Sequence, residues 1–200
     1  MEQAANRPGG TPRVLVPLAP GFEELEAITI VDLLRRADVE VVTAALGSNP
    51  VVGSHDIAVR ADRALDEVAG EEFAMICLPG GLPGAQHLRE DPRVLELLRR
   101  HAARRAYTAA ICAAPSALAA AGVLAGRRAT SFPGFLDASS GATLSESAVV
   151  VDGTVVTSRG PGTALDFALA LIAELKGEEA RDRVAARLQR PHPPAAVERA

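Results

Sequence analysis

Tyr107-Thr-Ala-Ala-Ile-Cys-Ala-Ala-Pro-Ser-Ala-Leu-Ala-Ala-Ala-Gly122 decides how this chain is read. Tyr107 to Ile111 is a short apolar run that fits a buried strand, and Pro115 to Ala121 reads as a helix ended by Gly122. Cys112 stands at the turn between them. A thiol there faces the unpaired N–H groups that open the helix, whose positive end favours thiolate. The flanking alanines permit the tight bend of a nucleophile elbow. The competing reading is a buried structural cysteine, and spacing alone leaves both open.

Working outward, the same strand-then-helix alternation recurs. Arg13 to Leu18 reads as a strand, and Ala19-Pro20-Gly21 breaks it. Glu23 to Arg36 follows as a helix with acids in its first turn and Arg35 and Arg36 in its last, which suits the helix dipole. Val39 to Ala45 is a second strand, and Val51-Val52 with Ile57 to Val59 predicts a hairpin. Phe73 to Leu78 is a continuous apolar run stopped by Pro79-Gly80-Gly81. Pro92 opens a helix to about Arg105. Asp152-Gly153 between Ala148–Val151 and Thr154–Thr157 is a strong hairpin signal. Helices are expected over Pro161–Lys176 and from Glu178 to about Gln189.

Strands separated by helices of crossover length imply an α/β fold with a mostly parallel sheet covered on both faces. In such sheets the site lies outside the carboxyl ends of the strands. The turn after Leu18, the Pro79-Gly80-Gly81 turn and Cys112 all fall there. One domain over 13–190 is expected, with disordered tails at 1–12 and 191–200.

Bulk properties exclude several classes. The 200 residues suffice for one sizeable core. A net charge of −4, with both signs interspersed, gives no basic stripe for nucleic acid and no polybasic patch for a membrane surface. No apolar stretch approaches the ~18 residues of a membrane span, and the N-terminal segment has no apolar core of a secretory signal. Cys77 and Cys112, the two cysteines, cannot build a disulfide framework or a four-ligand zinc site. The expectation is a cytoplasmic protein with no metal and no membrane or nucleic-acid partner.

Candidate site residues gather around Cys112. Glu26 shares a helical stripe with Ile30 and Leu33, so its carboxyl points along an apolar face. Desolvation would raise its pKa and make it a proton donor or acceptor near neutrality. Glu23 and Glu24 read as solvated dipole partners, and Asp32 as a surface ion-pair partner of Arg35 or Arg36. Gly80-Gly81 is either a plain turn or a place where a backbone N–H meets a substrate oxyanion. Cys77, inside a strand, reads as core. Of the four histidines, His101 is expected to be solvated in an Arg-rich helix and His192 sits in the Pro-rich tail; His55 and His87 lie in polar loops that could rim the site. None stands beside Cys112 as an obvious base.

Leu18-Ala-Pro-Gly-Phe-Glu-Glu-Leu-Glu26, Leu78-Pro-Gly-Gly81, Ala109-Ala-Ile-Cys-Ala-Ala-Pro115 and Thr157-Ser-Arg-Gly-Pro-Gly-Thr163 together resemble the ThiJ/PfpI superfamily. The resemblance runs from about Arg13 to Leu188 and is closest to the branch holding a parkinsonism-associated deglycase and bacterial YajL. It implies a flavodoxin-like three-layer sandwich, a homodimer, and no cofactor. It also implies Cys112 as nucleophile, Glu26 as the carboxyl bonded to it, Gly81 and Ala113 as backbone donors, and a rim including Gly80, His55, Phe132 and Pro161. Arg36 and His55 match interface or rim positions, and His55 replaces an arginine of the human member. Phe132 stands where the human member has a histidine, one that YajL-like proteins also lack, which shifts proton transfer toward Glu26. Ala113 stands where the protease-like branch has a histidine, which argues against peptidase activity. The lack of a downstream histidine base argues likewise against a glutamine amidotransferase. The resemblance implies a glutathione-independent glyoxalase or deglycase acting on a small aldehyde or glycated substrate. Alternatives are a redox-sensing chaperone whose cysteine becomes sulfinic acid, and an isonitrile hydratase-like enzyme.

Overall fold

The computed structural model describes residues 10–190, 193 and 195–200. Most of the expected N-terminal tail, and His192, lie outside these; Gly10 to Pro12 have no regular structure. The order is β1 (Arg13–Leu18), α1 (Glu24–Arg36), β2 (Glu40–Ala45), the hairpin β3 (Val51–Val52) and β4 (Ala58–Val59), β5 (Arg63–Ala64) and α2 (Leu65–Val68). Then come β6 (Met75–Leu78), α3 (Gly84–Glu90), α4 (Pro92–Ala103), β7 (Tyr107–Ile111), α5 (Pro115–Ala120), β8 (Arg128–Ala129) and β9 (Thr143–Leu144). The chain ends with β10 (Val149–Asp152), β11 (Val155–Ser158), α6 (Ala164–Lys176), α7 (Glu178–Arg187) and β12 (Val197–Arg199).

Eight strands form the central sheet in the order β12-β10-β11-β7-β6-β1-β2-β5. Every pairing in it is parallel except the β10–β11 hairpin around Asp152-Gly153. Counting the main parallel strands β1, β2, β6, β7 and β11, the spatial order is second, first, third, fourth, fifth, the flavodoxin arrangement. Pleat alternation sends Val14, Val16 and Leu18 to the face covered by α1, α6 and α7, while Leu15 joins the core under α2 to α5. Because strand order reverses between β1 and β6, the crevice at their carboxyl ends opens beside the end of β7. Cys112 stands there.

Several expectations needed correction. His101 is buried, not solvated: with Val94, Leu97 and Leu98 it completes the apolar stripe of α4, and its Nδ1 lies 3.0 Å from the Leu97 carbonyl. His87, expected in a polar loop, lies within helix α3, between the glycine turn and Pro92 where no element was expected. The helix expected from Pro161 opens with a 3₁₀ turn over Pro161–Thr163 and becomes α-helical at Ala164. The C-terminal tail is not simply frayed, since Val197–Arg199 pairs in parallel with β10. Glu198 fixes that strand by accepting from the Ser145 and Ser147 hydroxyls and from Arg128. Among the described residues no helix is long and apolar enough to cross a membrane.

Candidate active site

Cys112 follows β7 directly and adopts φ 62°, a left-handed conformation costly for a residue with a Cβ. Three main-chain bonds hold it there. The Cys112 N–H donates to the Ser158 carbonyl at 3.0 Å, its carbonyl accepts from Phe132 N–H at 2.8 Å, and Ala114 N–H closes the turn on the Ile111 carbonyl at 3.0 Å. The elbow expected from the sequence is therefore present and strained, and it aims the sulfur into the crevice.

The glycine turn after β6 lies against it. A Cβ on Gly80 would come within 2.6 Å of Cys112 Cβ and 2.8 Å of Glu26 Oε2, so no side chain fits between thiol and carboxyl. Gly81 has φ 89°, and a Cβ there would meet the Glu23 nitrogen at 2.2 Å. This closeness leaves the N–H groups of Gly81 and Ala113 directed at the Cys112 sulfur.

Glu26 arrives from the opposite side, on the inward stripe of α1, fully buried as its spacing predicted. Gly80 N–H donates to its Oε2 at 2.7 Å. Its Oε1 is buried without a hydrogen-bond partner, and the thiol is close enough for the two groups to govern each other's protonation. Burial raises the Glu26 carboxyl to about 7, against the Gly80 N–H and the thiol, which pull it down. Burial also raises Cys112, to about 12, with the Glu26 charge pushing the same way and the Gly81 and Ala113 N–H groups opposing it. The free thiolate expected from the helix end is thus replaced by a thiol that burial keeps protonated, beside a carboxyl raised toward neutrality. With Glu26 ionised the thiol keeps its hydrogen; with Glu26 protonated its charge no longer opposes the thiolate, and the two N–H groups favour it. Cys77 is wholly buried in β6 with its thiol pushed far up by desolvation, which makes it core, as expected.

The rim residues divide. Gly160 approaches the sulfur: a Cβ there would lie 4.0 Å from Cys112 Sγ and 3.2 Å from the Phe132 ring. Pro161 follows it in the 3₁₀ turn, half-buried. Phe132 is exposed and tied to Cys112 through the main chain. His55 instead belongs to the outer end of α1, where its Nδ1 lies 3.2 Å from Glu24 Oε2. His87 Nδ1 faces the Pro20 carbonyl at 3.0 Å.

Glu24 is the residue the sequence reading missed. It is buried, not solvated, because the β3–β4 loop folds over it. Its carboxylate accepts from His55 N–H at 2.8 Å, Ile57 N–H at 3.2 Å and the Ser54 hydroxyl at 3.3 Å. Burial pushes its pKa up, but these donors outweigh burial and bring it down to about 2. Glu23, Glu24 and His55 have mutual distances that would suit a cation, yet the Glu24 oxygens are already committed to the loop. The same loop donates Ser54 N–H to Phe22 and accepts Gly21 N–H at Val52, and Glu23 N–H bonds the Gly80 carbonyl at 2.9 Å. The hairpin, the α1 entry and the glycine turn are thereby stacked in one hydrogen-bonded series behind the thiol.

The chain is similar to several known proteins. The Parkinson disease protein 7 homolog of Danio rerio is 42% identical over 181 residues, 88% of this chain and 96% of that one. A deglycase of Pyrococcus abyssi is 36% identical over 152 residues, 75% of this chain and 91% of its own length. The chain spans only 39% and 44% of two Arabidopsis thaliana relatives, the DJ-1 homologs B and A, at 42% and 44% identity. The solved structure of oxidized Toxoplasma gondii DJ-1 superposes with a TM-score of 0.86 at 37% identity, covering 91% of this chain and 100% of that one. A match to the DJ-1/PfpI family over residues 12–174 takes in every element that builds the site, from β1 into α6, and the chain belongs to that family.

Proposed function

We propose that this protein is a cysteine-dependent enzyme acting on 2-oxoaldehydes without glutathione or a cofactor, with early glycation adducts as its second substrate class. The observation that carries this reading is the buried Glu26 carboxyl set beside Cys112 across the side-chain-free Gly80, with the N–H groups of Gly81 and Ala113 at the sulfur. With methylglyoxal, Cys112 sulfur forms a bond to the aldehyde carbon. The carbonyl π pair moves to oxygen, where the two N–H groups stabilise it and the Glu26 proton neutralises it. The Glu26 carboxylate then takes the hydrogen from that carbon, and the electron pair moves through to the neighbouring carbonyl oxygen to give an enediolate. The hydroxyl proton passes to that oxygen, and Glu26 returns its hydrogen to the neighbouring carbon as the thioester carbonyl forms. The product is a lactoyl thioester; water cleaves it to lactate and the thiol. Oxidation of one carbon balances reduction of the other, so no external oxidant is needed. The deglycase name of the Pyrococcus abyssi relative supports the glycation arm.

The test is lactate formation from methylglyoxal, without glutathione, by wild type, Cys112→Ser and Glu26→Gln. Lactate from wild type alone is expected. Turnover surviving in Cys112→Ser would sink the nucleophile assignment.

A redox-sensing role is the second reading, favoured by the contrast between the half-buried Cys112 and the sealed Cys77, and by the oxidized state of the Toxoplasma gondii relative. Mild peroxide should add two oxygens to Cys112 before Cys77 gains any, as read by peptide mass. Two unpaired thiols suit a cytoplasmic setting. A homodimer is the expected assembly. Leu25 and Ile28 on α1, Val52 on β3 and Ile57 in the hairpin loop are large apolar side chains left exposed, which a second copy would cover. Ile28→Asp should convert the dimer to monomer in light scattering.

A further inference from the structure

The crevice beside the thiol has an apolar wall that the steps above leave unused. Phe132 and the Cys112 sulfur flank Gly160. The Phe132 ring meets Phe135 edge to face, with centroids 6.1 Å apart and planes at 72°. Phe135 in turn lines a cavity of about 90 Å³ together with Leu82, Ala85 and Ser116, and with Gln86 and Arg89 as its polar part. Leu82 follows Gly81 in the chain, and Ser116 Oγ donates to the Ala113 carbonyl at 2.7 Å. Two of the lining residues are therefore joined to the residues whose N–H groups face the sulfur, Leu82 through the chain and Ser116 through this hydrogen bond. Leu82 and Phe132 are 54% and 46% exposed.

We infer that this wall is the specificity pocket for the substituent on the reacting carbonyl, so that the preferred substrates are 2-oxoaldehydes bearing an aromatic or branched aliphatic arm. The inference rests on the aldehyde chemistry proposed above. A carbonyl oxygen held by Gly81 and Ala113 leaves its substituent free to run toward Leu82 and Phe135, while the methyl of methylglyoxal is too short to fill the cavity. A closed apolar cavity of about 150 Å³ encloses benzene. This smaller and open one takes a ring by its edge and leaves the far side wet. Each methylene fitted into an apolar pocket is worth roughly tenfold or more in discrimination, so an arm of this size should raise kcat/KM by about tenfold.

Two measurements test this. In the first, kcat/KM is compared for phenylglyoxal (read as mandelate) and methylglyoxal (read as lactate) in wild type, Phe135→Ala and Leu82→Ala. The expected phenylglyoxal preference is about tenfold, shrinking toward parity in both variants. In the second, the alkylation rate of Cys112 by N-benzyliodoacetamide is divided by that with iodoacetamide, each normalised to free N-acetylcysteine. This ratio should be several-fold above one in wild type and near one in the variants. Equal normalised alkylation rates in wild type, or a preference that both variants keep, would overturn the pocket. Turnover of neither 2-oxoaldehyde would overturn the aldehyde reading instead, while the alkylation ratio still decides whether the wall selects apolar arms.

Discussion

The main-chain N–H of Gly80 donates to Glu26 Oε2 over 2.7 Å, so the residue that precedes Gly81 also fixes the carboxyl that lies beside the thiol. Glu26→Gln keeps an acceptor for that bond and removes the proton traffic. Turnover of methylglyoxal should drop by about 10²- to 10⁴-fold with the fold intact by circular dichroism. Glu26→Leu also orphans the Gly80 N–H, and should lower unfolding free energy by a further ~1–3 kcal/mol relative to the glutamine variant.

The raised pKa of Glu26 carries a stability signature. Its carboxyl titrates near 7 in the folded protein against 4.5 ordinarily, so between those values the folded state holds a proton that the unfolded chain has released. Stability is complete below about pH 4.5, falls as pH rises toward 7, and is level above it as far as this group is concerned. The loss amounts to roughly 3 kcal/mol. Urea titrations at pH 5 and 8 should show it in wild type and not in Glu26→Gln.

Strain at the elbow is separable from chemistry. Cys112→Ala leaves a Cβ at φ 62°, whereas Cys112→Gly removes it. The glycine variant should be about 1 kcal/mol more stable than the alanine variant in urea unfolding, although glycine is ordinarily the less stable choice. Equal stabilities would mean the conformation carries no strain.

Glu24 anchors the hairpin loop. Glu24→Ala leaves the N–H groups of His55 and Ile57 without their acceptor and should cost ~1–3 kcal/mol. Amide exchange over residues 53–57 should accelerate well before that of β1. Because the Glu24 pKa is depressed to about 2, its support is fully present above pH 4.5 and is lost as pH falls from there through about 2. Exchange in this loop should therefore rise on acidification beyond the change expected from intrinsic rates.

Much of this arrangement was legible in the residues alone, and the exceptions share a cause. The runs at Arg13–Leu18 and Tyr107–Ile111 announce buried strands because both faces of a parallel sheet are covered. Glu26 announces its burial by falling in step with Ile30 and Leu33. His101 carried the same signal, in step with Val94 and Leu98, but its Arg-rich neighbours masked it. Glu24 had no local signal at all, since the loop that covers it lies about thirty residues away in sequence. Helix α3 opens on Pro83-Gly84, which reads as turn until tertiary packing buries Ala85 and Leu88. The two-residue strands β5, β8 and β9 exist only through their pairing partners.

The placing of β12 has a consequence for how the protein behaves in concentrated solution. With Val197–Arg199 alongside, the outer edge of β10 presents no free row of amides to another chain. A truncation before Ala195 would uncover that edge, and Val149, Val150 and Val151 would offer a flat, β-branched template for strand addition. The last six residues thus act as a guard against edge-to-edge aggregation, and their removal should shorten shelf life while leaving the thiol site untouched.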